Sequence, residues 1–589
     1  MPDAASPIVR SASLPPWHPG WAKSLAGQYF SGTTCVFVLH GNVYDVIRCQ
    51  TDEGVQYCNL PEFLAAQLFG KWDIVLHYDL GRGLRALAGG DAARLKQMMQ
   101  YLGPLGEPGA WPRDPENVLL LLDKYIERNL LTEDPAKRLS IGVILDYAQY
   151  LFPAGDLGAL ARGQGKNLVR MLGWAQNPYL KRVNVAFCLI AGKLAEVNDR
   201  LVQSPHVATV DLPMPEAADR RAYAEWAAGG SDWAAVSDLK PAELGEVSNG
   251  LSLVSLNVVL SQAKQSGQKL DLRRFKALKK DMIERQCQGL LEFIEPPHTL
   301  DLIVGQDAAQ KRLREDADLI GRGRLDAAPM GYLICGPVGT GKTFLAECYA
   351  GSIGIPCVKL RNFRSKYVGE TEGNLEQVLT VLRSLGPVIV VIDEADAALG
   401  TREADGDSGT SGRVFSMIAS QMGDTRYRGK IVWMLLTSRP DLLPIDLKRQ
   451  GRAEVHIPLF YPQTDGEIRA MYQAMAKKNK IPLKDDALPK LPTGRFLSGA
   501  DIESTLLAAR RLALTAGREE VTTADLAAAT ADFVPSAQGM EKEMQEINAV
   551  LECTQLSFLP QDWREKVAKP DGRTLLQRRA AEIRELTKR

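Results

Sequence analysis

The chain has 589 residues and carries 71 basic and 71 acidic side chains, so its formal net charge is zero at neutral pH. A chain of this length exceeds what one hydrophobic core organises, and we expect several domains. The balanced charge offers no long-range attraction to nucleic acid or anionic membranes, and no stretch approaches the ~20 apolar residues of a membrane-spanning helix. We therefore expect a soluble, cytoplasmic, multidomain protein that binds neither nucleic acid nor membrane.

The N-terminal residues 1–25 are predicted to form a flexible arm. The stretch from Met1 to Lys23 is rich in proline, serine and alanine and lacks the apolar segment of a secretory signal. Nine cysteines are scattered along the chain without a C-x-x-C pair, several of them inside apolar runs. Because this spacing fits neither a zinc site nor a disulfide framework, we expect buried, reduced thiols.

The first half contains apolar runs typical of buried strands, at 34–40, 140–146, 183–191 and 207–212. The loop after the first run, Gly41-Asn42-Val43-Tyr44-Asp45, has neither the glycines nor the Lys-Thr pair of a phosphate-binding loop. The second run ends in a single acid, Asp146, followed by Tyr147. Without backbone N–H groups presented to phosphate, this half is predicted not to hydrolyse ATP.

Three polar residues near predicted strand ends, His40, His77 and Asp79, invite a metal or catalytic interpretation. No cluster with metal-ligand spacing accompanies them. We therefore expect histidines whose ring nitrogens are satisfied by hydrogen bonds within the fold.

The order of segments late in the first half recurs in the second half. Residues 199–201, 207–212 and 213–215 are matched in order by 444–447, 454–457 and 458–462. Self-similarity at domain length is a signal of an internal repeat. The sequence Glu295-Pro296-Pro297-His298 separates the halves, and paired prolines interrupt both helices and strands, so we place a linker at 295–301.

The segment Gly336–Thr343 is a complete G-x-x-x-x-G-K-[ST] phosphate-binding loop. It lies between an apolar run, 330–335, that predicts a strand and a run, 344–350, that predicts a helix. Backbone N–H groups of such a loop surround phosphate oxygens, while Lys342 would reach the β- and γ-phosphates and Thr343 would ligate Mg²⁺. We predict a site for ATP and Mg²⁺ that includes Pro337, Val338, Gly339, Thr340, Gly341, Lys342, Thr343 and Phe344.

An unbroken run of mostly β-branched residues, 388–392, predicts a strand buried on both faces, and it ends in Asp393 and Glu394. Ligands bind at the carboxyl edge of parallel sheets. We therefore expect Asp393 to hold Mg²⁺ through water and Glu394 to polarise the attacking water as a general base. From Leu302 onward predicted strands alternate with helices, which indicates a parallel α/β sheet.

A third strand, 430–438, is followed by Leu447-Lys448-Arg449-Gln450-Gly451-Arg452-Ala453-Glu454. Together with the phosphate loop and the acidic strand, this segment resembles the second region of homology of the AAA family, a branch of the AAA+ ATPases. The resemblance implies that Arg449 and Arg452 reach the γ-phosphate bound by a neighbouring subunit and neutralise charge in the transition state. It therefore implies a ring or helical oligomer, and we expect a homo-hexamer.

One catalytic position departs from the family pattern. The residue that ends the third strand is usually asparagine in the family and is Ser438 in this chain. A hydroxyl can still orient a water, but it reaches less far and offers one donor where an amide offers two. We expect slow turnover or an altered sensing geometry.

Two further segments resemble the parts of AAA proteins that surround adenine and ribose. Residues 496–503 resemble the lid motif, which implies that Gly499 and Ala500 pack near the base and sugar. Val304 and Gly305 belong to a segment that resembles the lining of the adenine pocket.

The stretch Lys366–Glu372 resembles the first pore loop of AAA translocases, whose pattern is aromatic, hydrophobic, glycine. Tyr367, Val368 and Gly369 occupy that pattern here. A tyrosine can press a flat amphipathic face on any extended polypeptide, and a glycine allows a tight turn. The polar, glycine-rich segment 405–413 is expected to be a mobile second pore loop.

The resemblance implies an α/β fold in which parallel P-loop NTPase sheets carry helical lid subdomains, in two tandem AAA-like modules. The arrangement is also similar to that of AAA proteins encoded in plastid and cyanobacterial genomes. The expected domains are a degenerate AAA-like α/β domain at 26–213, its helical lid at 214–294, an AAA ATPase α/β domain at 302–460, a helical lid at 461–535 and a C-terminal helical extension at 536–589.

Two functions remain open from the sequence. The first is an ATP-driven remodeller, a ring that pulls on or disassembles a protein substrate, favoured by the pore-loop resemblance and by Asp393 and Glu394. The alternative is a nucleotide-gated assembly scaffold with slow ATP hydrolysis that docks partners through its first half. It is favoured by Ser438 and by the degenerate first half. A nucleic-acid motor lacks a basic stripe, and no H-E-x-x-H motif indicates a fused protease.

Overall fold

The computed structural model describes residues 14–51, 54–155, 160–229, 233–295, 298–361, 370–399, 408–484, 488, 497–534 and 539–587. The chain divides into two compact units, one of Met1–Ile283 with Ser365–Ser384 and one of Glu284–Arg364 with Leu385–Arg589. Each unit is built around a mostly parallel sheet that has six strands among the described residues. In the same part of the chain, no helix is long and apolar enough to cross a membrane.

The strands of the first unit are β1 (Val36–Gly41), β2 (Ile47–Thr51), β3 (Gly54–Cys58), β4 (Ile74–Asp79), β5 (Gly83–Ala86), β6 (Ile141–Leu145), β7 (Val185–Ile190) and β8 (Val207–Leu212). The main sheet has the order β5-β4-β6-β7-β1-β8, and all neighbours are parallel except β4 and β5. Strands β2 and β3 form a separate antiparallel hairpin. Strands β6 and β7 are buried along their whole length, as their continuous apolar runs predict.

The helices of the first unit surround this sheet and form its lid. They are α1 (Gly20–Phe30), α2 (Leu60–Phe63), α3 (Ala92–Leu102), α4 (Pro115–Leu130), α5 (Ala148–Leu151), α6 (Arg162–Gln176), α7 (Asp199–Val202), α8 (Ala217–Ala228), α9 (Trp233–Val236), α10 (Pro241–Val247), α11 (Leu253–Ser266) and α12 (Leu272–Gln286). Several begin at side-chain caps. Asp114 accepts from the backbone N–H of Asn117 at 3.0 Å at the start of α4, and Ser252 accepts from that of Ser255 at 3.0 Å at the start of α11.

The strands of the second unit are β9 (Leu291–Ile294), β10 (Gly331–Cys335), β11 (Cys357–Leu360), β12 (Val388–Ile392), β13 (Ile431–Thr437) and β14 (Val455–Pro458). Their order is β14-β10-β13-β12-β11-β9, with β9 antiparallel to β11 and the other neighbours parallel. Strands β10, β12 and β13 are buried along their whole length.

The remaining helices, in chain order, are α13 (Asp307–Gly321), α14 (Lys342–Ile353), α15 (Glu370–Ser384), α16 (Ala395–Leu399), α17 (Ser408–Met422), α18 (Ile445–Lys448), α19 (Asp465–Lys478), α20 (Gly499–Thr515), α21 (Thr523–Asp532), α22 (Met540–Glu552), α23 (Gln561–Ala568) and α24 (Gly572–Thr587). All of them except α15 belong to the second unit. The lid helix α20 begins at a reciprocal cap in which Ser498 and Asp501 each bond the other's backbone N–H.

The two sheets share one topology. Read from corresponding edges, the five parallel strands run β8-β1-β7-β6-β4 in the first unit and β14-β10-β13-β12-β11 in the second. Beyond the fifth strand each sheet gains one antiparallel strand, β5 or β9, which comes from a different place in the chain. The expected α/β fold of two tandem modules with parallel sheets and helical lids is therefore confirmed.

Three sequence expectations about local structure are wrong. The flexible arm expected at 1–25 is a helix from Gly20 onward, and Ala22 and Leu25 on it are buried. Strand β9, placed in the first module's lid by the range 214–294, pairs with β11 of the second sheet. Residues 408–413, expected to belong to a mobile loop, form the first turns of α17. Residues 405–407 of the same expected loop lie outside the described residues.

The histidines near strand ends are only partly satisfied. The Nδ1 atom of His77 accepts from Arg85 at 3.1 Å, but the Nε2 atom is buried and has no hydrogen-bond partner among the described residues. The Nδ1 atom of His40 is likewise buried without a described hydrogen-bond partner. The nine cysteines all lie within the described residues, and no disulfide joins them.

Candidate functional site

A cavity of about 460 Å³ opens at the carboxyl edge of the second sheet. Its walls come from the phosphate loop, the ends of β12 and β13, the segment before α13, and the lid helices α19 and α20. The predicted residues that it brings together are Val304, Val338, Gly339, Thr340, Gly341, Lys342, Thr343, Phe344, Asp393, Glu394, Ser438, Gly499 and Ala500. Gly305 and Pro337 do not line this cavity, although the carbonyl oxygen of Pro337 accepts a hydrogen bond from Lys342 at 2.9 Å.

The phosphate loop is closely packed where its glycines stand. A Cβ on Gly336 would collide with the carbonyl oxygen of Leu459, and one on Gly339 would lie 2.9 Å from the side chain of Ser498. Gly339 also has a φ of 84°, a conformation that residues with a Cβ rarely adopt. These two positions therefore require glycine, as a loop that wraps its backbone around a ligand does.

Lys342 is held at the centre of the cavity. Its Nζ atom donates to the carbonyl oxygens of Gly336 and Pro337 and to the hydroxyl of Ser438, each at 2.9 Å. Burial disfavours the charged ammonium and lowers the pKa of Lys342 to about 8. A phosphate placed against this ammonium would favour its charged form.

Asp393 lies beside the hydroxyl that begins the loop helix. Its Oδ2 atom accepts from the Thr343 hydroxyl at 3.3 Å and forms an ion pair with the Nζ atom of Lys359 at 2.8 Å. A carboxylate and a hydroxyl at this separation are hard oxygen donors of the kind that Mg²⁺ prefers. In nucleotide sites Mg²⁺ keeps several waters and phosphate oxygens, so two protein ligands fit the ion.

Glu394 has an unusual backbone conformation. Its φ is 48°, in the left-handed region, and its backbone N–H donates to the Oδ1 atom of Asp393 at 3.0 Å. This conformation costs roughly 1–2 kcal/mol for a residue with a Cβ. Such strain is found where it aims a side chain at a functional site. The Glu394 side chain is exposed at the cavity wall, where it can contact water.

The lid closes the opposite side of the cavity. The backbone N–H of Gly499 donates to the carbonyl oxygen of Gly339 at 3.1 Å, so the first turn of α20 is bonded directly to the phosphate loop. Lys478 on α19 pairs with Glu503 on α20 at 3.0 Å and lies over the Phe344 ring at 5.2 Å. The apolar part of this wall therefore suits a flat base.

The two predicted finger arginines differ in their surroundings. The side chain of Arg449 is 61% exposed and makes a loose ion pair with Asp446 at 3.6 Å. The side chain of Arg452 is 13% exposed, and it donates to the carbonyl oxygen of Asp446 at 2.8 Å. Neither residue lines the cavity of its own chain. Arg449 therefore has the freedom that contact with another subunit requires, whereas Arg452 is packed into the fold.

The predicted pore loop lies outside the described residues. Tyr367, Val368 and Gly369 fall between residue 361 and the start of α15 at Glu370. Their expected role therefore stays a prediction.

Sequence reasoning missed contacts that the C-terminal extension makes with the phosphate loop. The Oε1 atom of Gln545 on α22 accepts from the backbone N–H of Val338 at 3.2 Å. The Tyr461 hydroxyl donates to the carbonyl oxygen of Val338 at 2.7 Å, and Lys542 lies over the Tyr461 ring at 4.0 Å. These partners are more than a hundred residues apart in sequence or lie outside any motif, so no spacing signal could have found them. The extension packs on the ATPase domain of its own unit.

Family models match most of the described chain. Residues 11–213 match the AAA+ chaperone N-terminal Rossmann-like domain, and residues 218–288 match the AAA+ chaperone second helical domain. Residues 332–461 match the ATPase family associated with various cellular activities, AAA. The chain therefore belongs to the AAA family of AAA+ ATPases, as a two-module member with an ATPase domain in its second half.

Curated relatives align with about a third of the chain. The ATP-dependent zinc metalloprotease FtsH 3 of Sphaerobacter thermophilus is 35% identical over 202 residues, which are 34% of this chain and 41% of that protein. The proteasome-activating nucleotidase of Methanothermobacter thermautotrophicus is 32% identical over 224 residues, 36% of this chain and 52% of that protein. An uncharacterized AAA domain-containing protein of Trieres chinensis, ycf46, is 33% identical over 216 residues, 36% of this chain and 42% of that protein.

The chain spans about half or less of the length of these relatives. The first of these relatives is a zinc metalloprotease. This chain has no H-E-x-x-H sequence, and no group of three or more His, Cys, Asp or Glu residues in its described part is placed to hold a metal ion.

Proposed function

We propose that this protein is an ATP-driven remodeller: a ring-shaped homo-oligomer, expected to be a hexamer, that hydrolyses ATP in its second module and uses the energy to pull on or disassemble a protein substrate. The observation that carries the ATPase part is the convergence of Lys342, Thr343, Asp393, Glu394 and Ser438 on one cavity beside a glycine-dependent loop. The remodelling part is supported by the pore-loop resemblance. It is also supported by the name of one relative, a proteasome-activating nucleotidase.

In this mechanism the backbone N–H groups of the loop hold the phosphates and Lys342 turns from the carbonyl oxygens of its own loop to the β- and γ-phosphates of ATP. Thr343 and Asp393 would hold Mg²⁺, which when bound neutralises charge on the phosphate oxygens. Glu394 takes a proton from the attacking water, and Ser438 orients that water. Val304, Gly499 and Ala500 contact the base and ribose.

The arginines act between subunits. Arg449, exposed on the surface of its own chain, reaches the γ-phosphate held by the neighbour, and Arg452 fixes the loop that carries it. Because each site then needs two subunits, hydrolysis is coupled to assembly. Movement of the subunits during the cycle carries Tyr367 along the pore and displaces the polypeptide that it grips. The cytoplasmic location stays a prediction from the sequence.

The alternative is a nucleotide-gated scaffold that hydrolyses ATP slowly and recruits partners through its first unit. Ser438 favours it, because a serine replaces the longer amide at the water-orienting position. Both functions use the same ATP site, so they are distinguished by work on a substrate.

The test begins with substrate capture on Glu394→Gln protein, which should load ATP and stall. Proteins that it retains and that Lys342→Ala protein does not retain are identified by mass spectrometry. Remodelling of a captured protein is then measured with Tyr367→Ala and Tyr367→Phe variants. We expect Tyr367→Ala to assemble, to hydrolyse ATP within a fewfold of wild type and to lose remodelling, because it lacks the flat face that grips the chain.

Tyr367→Phe keeps that flat face and should retain remodelling. If Tyr367→Ala assembles, hydrolyses ATP and still remodels the captured protein, threading through the pore is wrong and the scaffold function replaces it. If Tyr367→Phe is inactive, the hydroxyl and not the ring carries the role. Failure of Tyr367→Ala to assemble would identify Tyr367 as a packing residue.

A further inference from the structure

A second cavity, of about 260 Å³, lies within the first unit. Its walls come from the segment before α1, the loop after β1, the β2–β3 hairpin, the segment after β8 and the start of the lid helix α11. In the second unit the 460 Å³ cavity is lined by the corresponding pieces: the segment before α13, the loop after β10, the segment after β14 and the start of α20. Because the parallel strands of the two sheets have the same order, both cavities lie at the same carboxyl edge.

In the first unit an acidic side chain, Asp45, occupies the end of the cavity that corresponds to the phosphate loop of the second unit. The carboxylate of Asp45 accepts from the backbone N–H groups of Leu253 and Val254, each at 2.9 Å, at the start of α11. It also accepts from the backbone N–H of Val46 at 3.0 Å and from the side chain of Asn42 at 2.9 Å. Burial raises the pKa of Asp45, and the four N–H donors act in the opposite direction because they favour the ionised carboxylate, an acceptor at both oxygens.

The corresponding contact in the second unit is made by the phosphate loop itself, since the N–H of Gly499 donates to the carbonyl oxygen of Gly339. In the first unit a negative charge therefore stands where the second unit presents a neutral backbone to phosphates. A phosphate group brought to this end of the smaller cavity would meet a like charge, and no lysine is among the described residues that line the cavity.

The other end of the smaller cavity keeps the character of a base pocket. Three aromatic side chains line it: the half-buried Trp17, Trp21 and Tyr57. Their rings are fixed by other rings, Trp21 by Phe63 at 5.5 Å and Tyr57 by Tyr223 at 4.8 Å.

A basic side chain stands at the rim of this pocket. Arg48 lines the cavity, pairs with Tyr57 across the hairpin and is exposed. Aromatic faces and a guanidinium plane are the surfaces on which flat heteroaromatic bases stack.

We propose that the first unit binds the base of a nucleoside in this cavity and that Asp45 makes the site select nucleosides over nucleotides. The inference rests on the proposed nucleotide site of the second unit, whose position in the fold it shares. The smaller volume agrees with it, since about 260 Å³ is less space than the about 460 Å³ of the proposed triphosphate site. The first module would then sense nucleosides while the second hydrolyses ATP.

The test is a calorimetric titration of the full chain with adenosine, guanosine, cytidine and uridine. A non-hydrolysable ATP analogue with Mg²⁺, kept at saturation, first occupies the second unit. We expect one nucleoside site per chain to remain. Ala222→Phe, which places a ring in the cavity from α8, should weaken that site at least about tenfold. Ala228→Phe, on the same helix but outside the cavity lining, should leave it unchanged.

The monophosphate of the nucleoside that binds should bind at least about tenfold more weakly than the nucleoside, because its charge faces Asp45. Asp45→Asn should narrow that difference; if this variant does not fold, the wild-type comparison alone decides the point. No nucleoside binding while the analogue binds one per chain would overturn this inference and leave the ATP site intact. Nucleoside binding that Ala222→Phe does not weaken would also overturn it. No binding of the analogue would instead overturn the proposed function.

Discussion

The carboxyl edges of the two sheets keep the same backbone but differ in chemistry. In the first unit β6 is followed by Asp146 and Tyr147, and in the second β12 is followed by Asp393 and Glu394. Tyr147 and Glu394 both have a left-handed backbone conformation, with φ values of 54° and 48°. In both pairs the backbone N–H of the second residue donates to the Oδ1 atom of the preceding aspartate, at 2.9 and 3.0 Å.

The first unit therefore has the same strained turn as the second, with Tyr147 where the second unit has Glu394. The ring of Tyr147 stacks on that of Tyr44 at 5.7 Å, and a Cβ on Gly192 would lie 3.1 Å from the Tyr44 ring. In the second unit the same region holds the hydrogen bond from Lys342 to the Ser438 hydroxyl and the ion pair of Lys359 with Asp393. The two units therefore share the strand order of their sheets and differ at this edge in one loop and a few side chains.

The largest effect is expected from removal of Lys342, the phosphate-loop lysine to which the loop after β1 in the first unit has no equivalent. Lys342→Ala should abolish binding of a fluorescent ATP analogue by the whole chain, because it removes the charge-assisted contact to the terminal phosphates. Equilibrium titration measures this, with Lys193→Ala, a lysine that follows β7 in the first sheet, as a matched control that keeps binding. If the Lys342→Ala protein still binds one analogue per chain, the first unit binds nucleoside triphosphates.

The next largest effect is expected from substitution of the two proposed finger arginines, Arg449 and Arg452. Arg449→Ala should reduce hydrolysis by on the order of 10³-fold while ATP affinity is kept, because a finger acts on the transition state. Arg452→Ala should do the same through loss of the contact that holds the Arg449 loop to Asp446. Steady-state kinetics measures the loss of hydrolysis, and titration with the ATP analogue shows whether ATP affinity is kept.

Mixing gives the control for action between subunits. Glu394→Gln subunits have intact arginines, and Arg449→Ala subunits have an intact acid, so some mixed interfaces contain a complete site. Partial recovery of hydrolysis in the mixture is expected. No recovery in demonstrably mixed oligomers would show that Arg449 acts within its own chain.

The pH dependence of ATP affinity should distinguish the buried lysine from an ordinary one. In the free protein Lys342 loses its proton as the pH rises through about 8, because burial lowers its pKa from 10.5. Bound phosphates require the charged form, so above pH 8 binding must take up a proton and affinity should fall, by up to about tenfold per pH unit. Below that pH affinity should be nearly constant.

The measurement is the dissociation constant of the analogue between pH 6.5 and 9.5. Lys342→Arg provides the control, since a guanidinium stays charged throughout this range and its affinity should not follow the same curve. An equal slope for wild type and Lys342→Arg would assign the pH dependence to another group.

The features that the sequence predicted well are those with fixed local spacing. The phosphate loop, the acidic strand end and the apolar runs of the parallel strands are contiguous, so short-range patterns were enough to place most of the cavity lining. The helix Gly20–Phe30 is not evident from the sequence, because the preceding segment is rich in proline and serine and suggests a flexible arm. Burial of Ala22 and Leu25 in the fold stabilises the helix.

Features that depend on distant partners gave no such signal. Strand β9 exists because it pairs with β11, about sixty residues further along the chain. The hydrogen bonds from the start of α11 to Asp45 join residues more than two hundred positions apart in sequence. The hydrogen bond from Val338 to Gln545 does so as well. Pairings of this kind are set by tertiary packing and leave no periodicity in the sequence.

The smallest effect is expected from the contact between Gln545 on α22 and the phosphate loop. This contact distinguishes the two units, because among the described residues the first unit has no helix equivalent to α22 at its loop. Gln545 accepts from the N–H of Val338, and loss of a single neutral hydrogen bond is worth about 0.5–1.5 kcal/mol. Gln545→Ala should therefore raise the KM for ATP by roughly two- to tenfold with kcat little changed, because it loosens the loop before chemistry begins. Gln577→Ala, an exposed glutamine on α24 of the same extension, is the matched control and should have wild-type KM. If Gln545→Ala lowers kcat and leaves KM unchanged, the contact acts on the transition state, and the extension would then belong to the catalytic apparatus of the second unit instead of supporting its loop.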